Sequence, residues 1–168
     1  MRRLISFTYI LLIASALHAS WQLGADLRSI DSVFLKSLRL DSEISYSWDG
    51  IRLSVPFRFS HSFSHELNFV ETGLNVSVYP FAGHGFYIGT SMVRMGLFWG
   101  LEAPEEKFML FSEIMAGWTF SFPWFFIEPR ISILDAFSSE EGRIGVLREA
   151  VPQYSKIRIS LIAGLEIQ

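Results

Sequence analysis

LRLDSEISYSWDGIRLSVPFRFS, residues 38–60, alternates apolar and polar side chains on both sides of a two-residue break. Leu38, Leu40, Ile44, Tyr46 and Trp48 interleave with Arg39, Asp41, Glu43, Ser45 and Ser47. Beyond Asp49-Gly50, Ile51, Leu53, Val55, Phe57 and Phe59 interleave with Arg52, Ser54, Pro56, Arg58 and Ser60. A period of 2 sends successive side chains to opposite faces of a strand. Asp-Gly tolerates the positive φ that a type I′ turn requires. The stretch therefore predicts a β-hairpin with one apolar face and one charged face. A two-residue turn sets the register, so that Asp41 faces Arg58 and Glu43 faces Pro56. Both are non-hydrogen-bonded sites, where side chains approach closely. The missing N–H of Pro56 then points at the following strand.

The same alternation runs through the rest of the chain. Trp21 to Ser29 reads as a strand and Ile30 to Ser37 as a loop. Val70 to Tyr79 is a strand with Glu71, Gly73, Asn75 and Ser77 on its polar side. Phe86 to Trp99 is a longer strand whose two halves disagree on facing, and a β-bulge near Gly89 would reconcile them. Phe108 to Phe120 alternates around Glu113, Gly117 and Thr119. Phe125 to Ile133 alternates around Glu128, Arg130 and Ser132. Ile157 to Ile167 closes the series against Lys156, Arg158, Ser160, Gly164 and Glu166. The expected fold is all-β, a closed antiparallel up-and-down transmembrane barrel of about eight strands, each of roughly ten residues.

The connections at 49–50, 80–85 and 121–124 are short, and those near 30–37, 61–68, 101–107 and 139–153 are longer. Short turns on one side and long loops on the other is the habit of outer-membrane barrels. Aromatic residues gather beside the short turns (Trp48, Tyr79, Phe81, Phe86, Tyr87, Phe122, Trp124, Phe125) and beside the loops (Phe59, Phe63, Phe69, Trp99, Phe108), as interfacial girdles require.

Residues 1–19 have the form of a secretory leader, with Arg2 and Arg3 before a short uncharged apolar stretch and small residues near Ala19-Ser20. Residues 20–168 would then be the barrel, placed in the outer membrane of a diderm cell after cleavage. The formal charge of −3 leaves no basic surface for nucleic acid. There are no cysteines, hence no disulfides or thiolate metal sites.

Volume decides which face is outward. An eight-stranded barrel has an interior just wide enough to be filled by side chains. The apolar faces carry more Phe, Trp, Leu and Ile than that space holds, whereas Ser, Gly, Thr and paired charges fit. The alternative, a soluble lipocalin-like ligand carrier, would place the apolar face inside. With lipid outside, Arg39, Asp41, Glu43, Arg58, Glu71, Glu113, Glu128, Arg130 and Arg158 form a lumen network of nearly balanced sign, unlike a pore lined by one sign.

In its strand count, loop alternation and leader, the chain resembles the small eight-stranded outer-membrane barrels, the class of the OmpA transmembrane domain, OmpX and OmpW. The segment from Val78-Tyr79-Pro80-Phe81 to Gly85-Phe86-Tyr87-Ile88-Gly89 resembles a hairpin common in such barrels. The chain departs from the class in ending Ile167-Gln168 where an aromatic residue is usual. The resemblance implies membrane lipid as surroundings, a structural or surface-interaction role, and extracellular or host molecules as partners of the long loops. It also admits an outer-leaflet lipid-modifying hydrolase. For that reading Ser60, His61, Ser62, Ser64, His65 and Glu66 supply a hydroxyl, an imidazole and a carboxylate, although the His-x-Ser-Asn arrangement of lipid A deacylases is absent. A polar loop holding two histidines accounts for the same residues. His61, His65 and Glu66 lack metal-site spacing, and Gly83-His84-Gly85 precedes a strand, unlike a dinucleotide fingerprint. No metal or cofactor is expected.

Overall fold

The computed structural model describes residues 20–33, 37–81, 85–101, 103, 107–135 and 155–167. The leader expected over 1–19, the loop expected over 139–153 and Gly83-His84 lie outside the described residues. Strand β1 (Ser20–Asp26) leads into a 3-10 helix (Leu27–Val33), followed by β2 (Ser37–Trp48), β3 (Ile51–Ser62), β4 (Leu67–Val78) and β5 (Gly85–Gly100). Then come β6 (Phe108–Leu110), β7 (Glu113–Ser121), β8 (Phe125–Leu134) and β9 (Ile157–Ile167). The sheet runs β4-β3-β2-β1-β9-β8-β7-β5-β6, and pairing of β4 with β5 closes it. β6 and β7 both pair with β5 and are two segments of one stave, so the closed antiparallel barrel has eight staves.

The central hairpin has the expected register, Asp41 opposite Arg58 and Glu43 opposite Pro56. Asp49 and Gly50 both take positive φ, 47° and 76°, as a type I′ turn demands. Facing follows the alternation. Leu40, Ile44 and Ile159 are 53%, 52% and 64% exposed, while Arg52, Glu71 and Glu128 on the opposite faces are 1%, 0% and 0% exposed. The apolar side is therefore the outer wall. At the seam where the first strand meets the last, Gly24 faces Gly164. A Cβ on Gly164 would run into the Leu23 carbonyl oxygen, so the closure depends on glycine there.

Several features depart from the sequence reading. β1 ends at Asp26, and Leu27–Val33 winds into a 3-10 helix instead of extending the strand. The connection expected over 61–68 is a turn at 63–66 only, because Ser37↔Ser62 and Ser62↔Leu67 carry the pairing to its edge. The bulge in β5 falls at Met92, not near Gly89: Leu74 pairs with Val93 and Asn75 with Ser91, so Met92 has no opposite number. One extra residue reverses parity, and so Phe86 and Ile88 share the outer wall with Val93 and Met95. Lys156, expected inside, is exposed.

Both strand prolines coincide with gaps in the ladder. Between β3 and β4 pairing passes from Ser54↔Asn75 to Phe57↔Thr72, skipping Pro56, and the Thr72 hydroxyl donates to the Pro56 carbonyl at 2.9 Å. Between β7 and β8 it passes from Gly117↔Arg130 to Phe120↔Ile127, skipping Pro129, while Pro129 keeps its place opposite Leu161 on β9. Each proline thus turns its missing donor to one neighbour and leaves the other ladder whole.

Candidate functional site

The inward faces of all the staves converge on a charged lumen arranged in layers. At the end of the short turns, the Arg52 guanidinium lies over Tyr87 and Tyr79, 4.4 and 5.4 Å from the ring centroids. Glu128 accepts from Arg52 Nη1 at 2.5 Å, from the Tyr87 hydroxyl at 2.5 Å and from Thr119 Oγ1 at 2.9 Å. Tyr79 and Thr119 meet hydroxyl to hydroxyl at 3.0 Å. Arg130 continues the network upward with a bidentate pair on Glu43 at 2.6 and 2.8 Å, and it also donates to Glu128 at 2.6 Å.

The next layer joins Arg39, Arg58, Arg94 and Arg158 to Asp26, Asp41, Glu71 and Glu113. Arg39 bridges Asp41 and, at 3.2 Å, Asp26. Arg58 donates to Asp41 at 2.7 Å and to Glu71 at 3.2 Å. Glu71 also accepts from Arg94 at 2.5 Å and from Arg158 at 3.0 and 3.1 Å. Arg94 pairs with Glu113, which accepts from Ser132 Oγ at 2.5 Å. Several of these contacts cross the barrel: β3 to β8 through Arg52–Glu128, β2 to β8 through Glu43–Arg130, and β4 to β9 through Glu71–Arg158. Between the two layers lies a polar cavity of only about 30 Å³, lined by Asp41, Glu43, Arg58, Arg94, Glu113 and Arg130 among others.

At the loop end the lumen changes character. Leu67, Phe69, Phe98, Met109, Phe111 and Leu134 pack together inside the barrel, with Ala103 against them. Tyr79, Tyr87 and Phe69, expected in the girdles, are buried in the lumen, where they form parts of the end layers. The signal for two of them is parity: Tyr79 shares its face with Asn75 and Ser77, and Phe69 with Glu71. Tyr87 sits before the Met92 bulge, which hides its parity from a reading that starts at Arg94.

All nine charged residues expected in the lumen meet partners there. The residues of the hydrolase reading are divided. Ser60 and Ser62 are buried on the inner face, whereas His61 lies on the outer face, its Nδ1 2.9 Å from Asn68 Oδ1 and its ring edge-on to Phe63 at 4.6 Å. Ser62 meets Ser64 at 3.3 Å, Glu66 is exposed, and His65 is half-buried in the turn. The hydrogen-bond partner of the His61 imidazole is thus the Asn68 amide, not a serine hydroxyl or a carboxylate. Among the described residues, no group of His, Asp and Glu is arranged to hold a metal ion.

The sequence matches no protein-family profile and no curated protein. Among solved structures, the barrel superposes on the N-terminal β-barrel domain of Pseudomonas aeruginosa OprF with a TM-score of 0.58 at 11% identity, covering 89% of this chain and 96% of that one. The fold is that of the small eight-stranded OmpA-like barrels. At this identity the likeness lies in the architecture, and the lumen has to be read from its own residues.

Proposed function

We propose that the chain is an outer-membrane β-barrel with a structural or surface-interaction role, and that its lumen is closed by the internal ion-pair network. The observation that carries this reading is the cross-lumen pairing of Arg52 with Glu128, Arg130 with Glu43 and Arg158 with Glu71. Charges of both signs, held on opposite walls and bonded to one another, fill the cross-section that a conducting pore leaves to water. The stacked Arg52, Tyr79 and Tyr87 at one end and the apolar cluster at the other support the same reading. An outer wall carrying Leu40, Ile44, Val55, Leu97, Ile131 and Ile159 half-exposed suits hydrocarbon as its surroundings and disfavours the soluble carrier.

In this reading the leader is removed, the short turns face the periplasm, and the longer loops, at 101–107 and 139–153, face outward toward extracellular or host molecules. The separation of His61 from Ser60 and Ser62 on opposite faces weighs against the lipid-modifying hydrolase. Planar-bilayer recording on refolded protein tests the proposal. The expected result is little or no sustained conductance from a species that runs as a heat-modifiable, β-rich band. A large steady conductance would make the protein a pore.

A further inference from the structure

The wall of the barrel is interrupted where β6 gives way to β7. β5 pairs with β6 at Met95, Gly96 and Leu97 and with β7 from Thr90 downward, leaving the Met92 bulge and the break at 111–112 facing each other. An open ladder in a lipid-facing wall is costly unless its polar backbone groups are satisfied inside the protein. Here they are. Phe111 N donates to the Arg94 carbonyl at 3.1 Å, Ser112 N to Asp135 Oδ1 at 2.8 Å, and Glu113 N to Ser91 Oγ at 2.7 Å. Asp135 N returns to the Ser112 carbonyl at 2.8 Å, and Thr90 Oγ1 donates to the Glu113 carbonyl at 3.0 Å. Side chains of Thr90, Ser91 and Asp135 stand in for part of the ladder beside two backbone bonds, so this opening is built into the fold.

The break forms the floor of an external crevice of about 370 Å³, lined by Met92, Val93, Arg94, Leu110, Phe111, Ser112 and Asp135; the Arg94 guanidinium itself is committed to Glu71 and Glu113 in the lumen. That volume lies within the range of small-molecule sites. Phe111 belongs both to this crevice and to the apolar cluster inside the lumen. At this point, therefore, the apolar outer wall and the apolar interior are continuous through a single side chain. The rest of the lining is uneven: Met92, Val93 and Leu110 are apolar, while Ser112 and the Asp135 carboxylate lie where β8 ends, toward the loops.

We propose that this crevice is a binding site for one alkyl chain of an amphiphile whose head donates hydrogen bonds and carries no negative charge. The chain lies along Met92, Val93 and Leu110 with its end on Phe111, and the head donates to Asp135. The occupant is hydrocarbon because the crevice opens on the face that the proposed function places in lipid, and the inference rests on that reading. A carboxylate at the rim selects a hydroxyl-bearing head over an anionic one.

The test is photolabelling of the full chain in phosphatidylcholine nanodiscs with a diazirine-bearing dodecanol, followed by mass-spectrometric mapping. Saturable adducts should concentrate on Met92, Val93, Leu110 and Phe111, and excess unlabelled dodecanol should reduce them at least tenfold. Val93→Trp, which fills the crevice, should reduce them similarly, and Ile44→Trp on β2, across the barrel from β7, should leave them unchanged. If Val93→Trp loses its heat-modifiable band, Met92→Trp takes its place. Adducts spread over the whole outer wall and insensitive to dodecanol would overturn the site. Competition by dodecanoate as strong as by dodecanol would overturn the head assignment. A protein that fails to enter the disc would instead defeat the membrane reading on which the site depends.

Discussion

Arg58 Nε donates to Asp41 Oδ1 at 2.7 Å across the rung on which the two residues face each other. The pair is enclosed, with side-chain exposures of 12% and 8%. Each partner is shared, Asp41 with Arg39 and Arg58 with Glu71. Removing one member leaves a charge in the lumen with fewer partners, and single losses from buried pairs cost roughly 3–5 kcal/mol. Asp41→Ala and Arg58→Ala should each lower urea stability in one detergent by about that amount. The double variant should lose less than the sum of the two, because it leaves no orphan from this pair. Strictly additive losses would show that the contact carries no coupling.

The outer wall offers a second test. Leu161 sits on β9 opposite Pro129, with its side chain on the exposed face. Leu161→Arg should destabilise the barrel by roughly 2–4 kcal/mol if the site is near the bilayer midplane. Refolding yield and urea midpoint in lipid vesicles measure this. A neutral substitution would mean that water, not lipid, bathes β9.

Pro129 marks a missing rung between β7 and β8. Pro129→Val supplies an N–H facing β7 and keeps an apolar β-former on the outer wall. The variant should gain about 0.5–1.5 kcal/mol, the net value of one hydrogen bond, and the amides of Trp118 and Phe120 should exchange more slowly. Unchanged exchange would mean that the strands are held apart there by something other than the proline.

The turn at 63–66 and its flanks test the enzyme alternative. Replacing His61, Ser62, Ser64 and His65 together by Ala should leave membrane lipid composition unchanged in cells that express the variant. Lipid analysis beside the wild type, with the heat-modifiable band as a check on folding, measures this. Loss of a lipid product in a folded variant would restore the hydrolase.

Alternation by itself determined most of the strands, the hairpin register at Asp49-Gly50 and which side chains share a face; side-chain volume then chose the outer face. Those properties are local, because a period of 2 assigns each side chain to a face and a two-residue turn permits one register. The same alternation assembled the charged residues of the lumen before any partner was visible. Within the hairpin it set Asp41 against Arg58, but it could not say which charges meet across the lumen. Arg52 with Glu128 and Arg130 with Glu43 lie 76 and 87 residues apart and meet only because the sheet closes on itself. Tyr87 and the break beside Ser112 were hidden for another reason. The extra residue at Met92 and the side-chain rungs from Ser91 and Asp135 exist only where two strands are already paired. A bulge shifts parity without changing composition, so its position, and the crevice it opens, were decided by the tertiary structure.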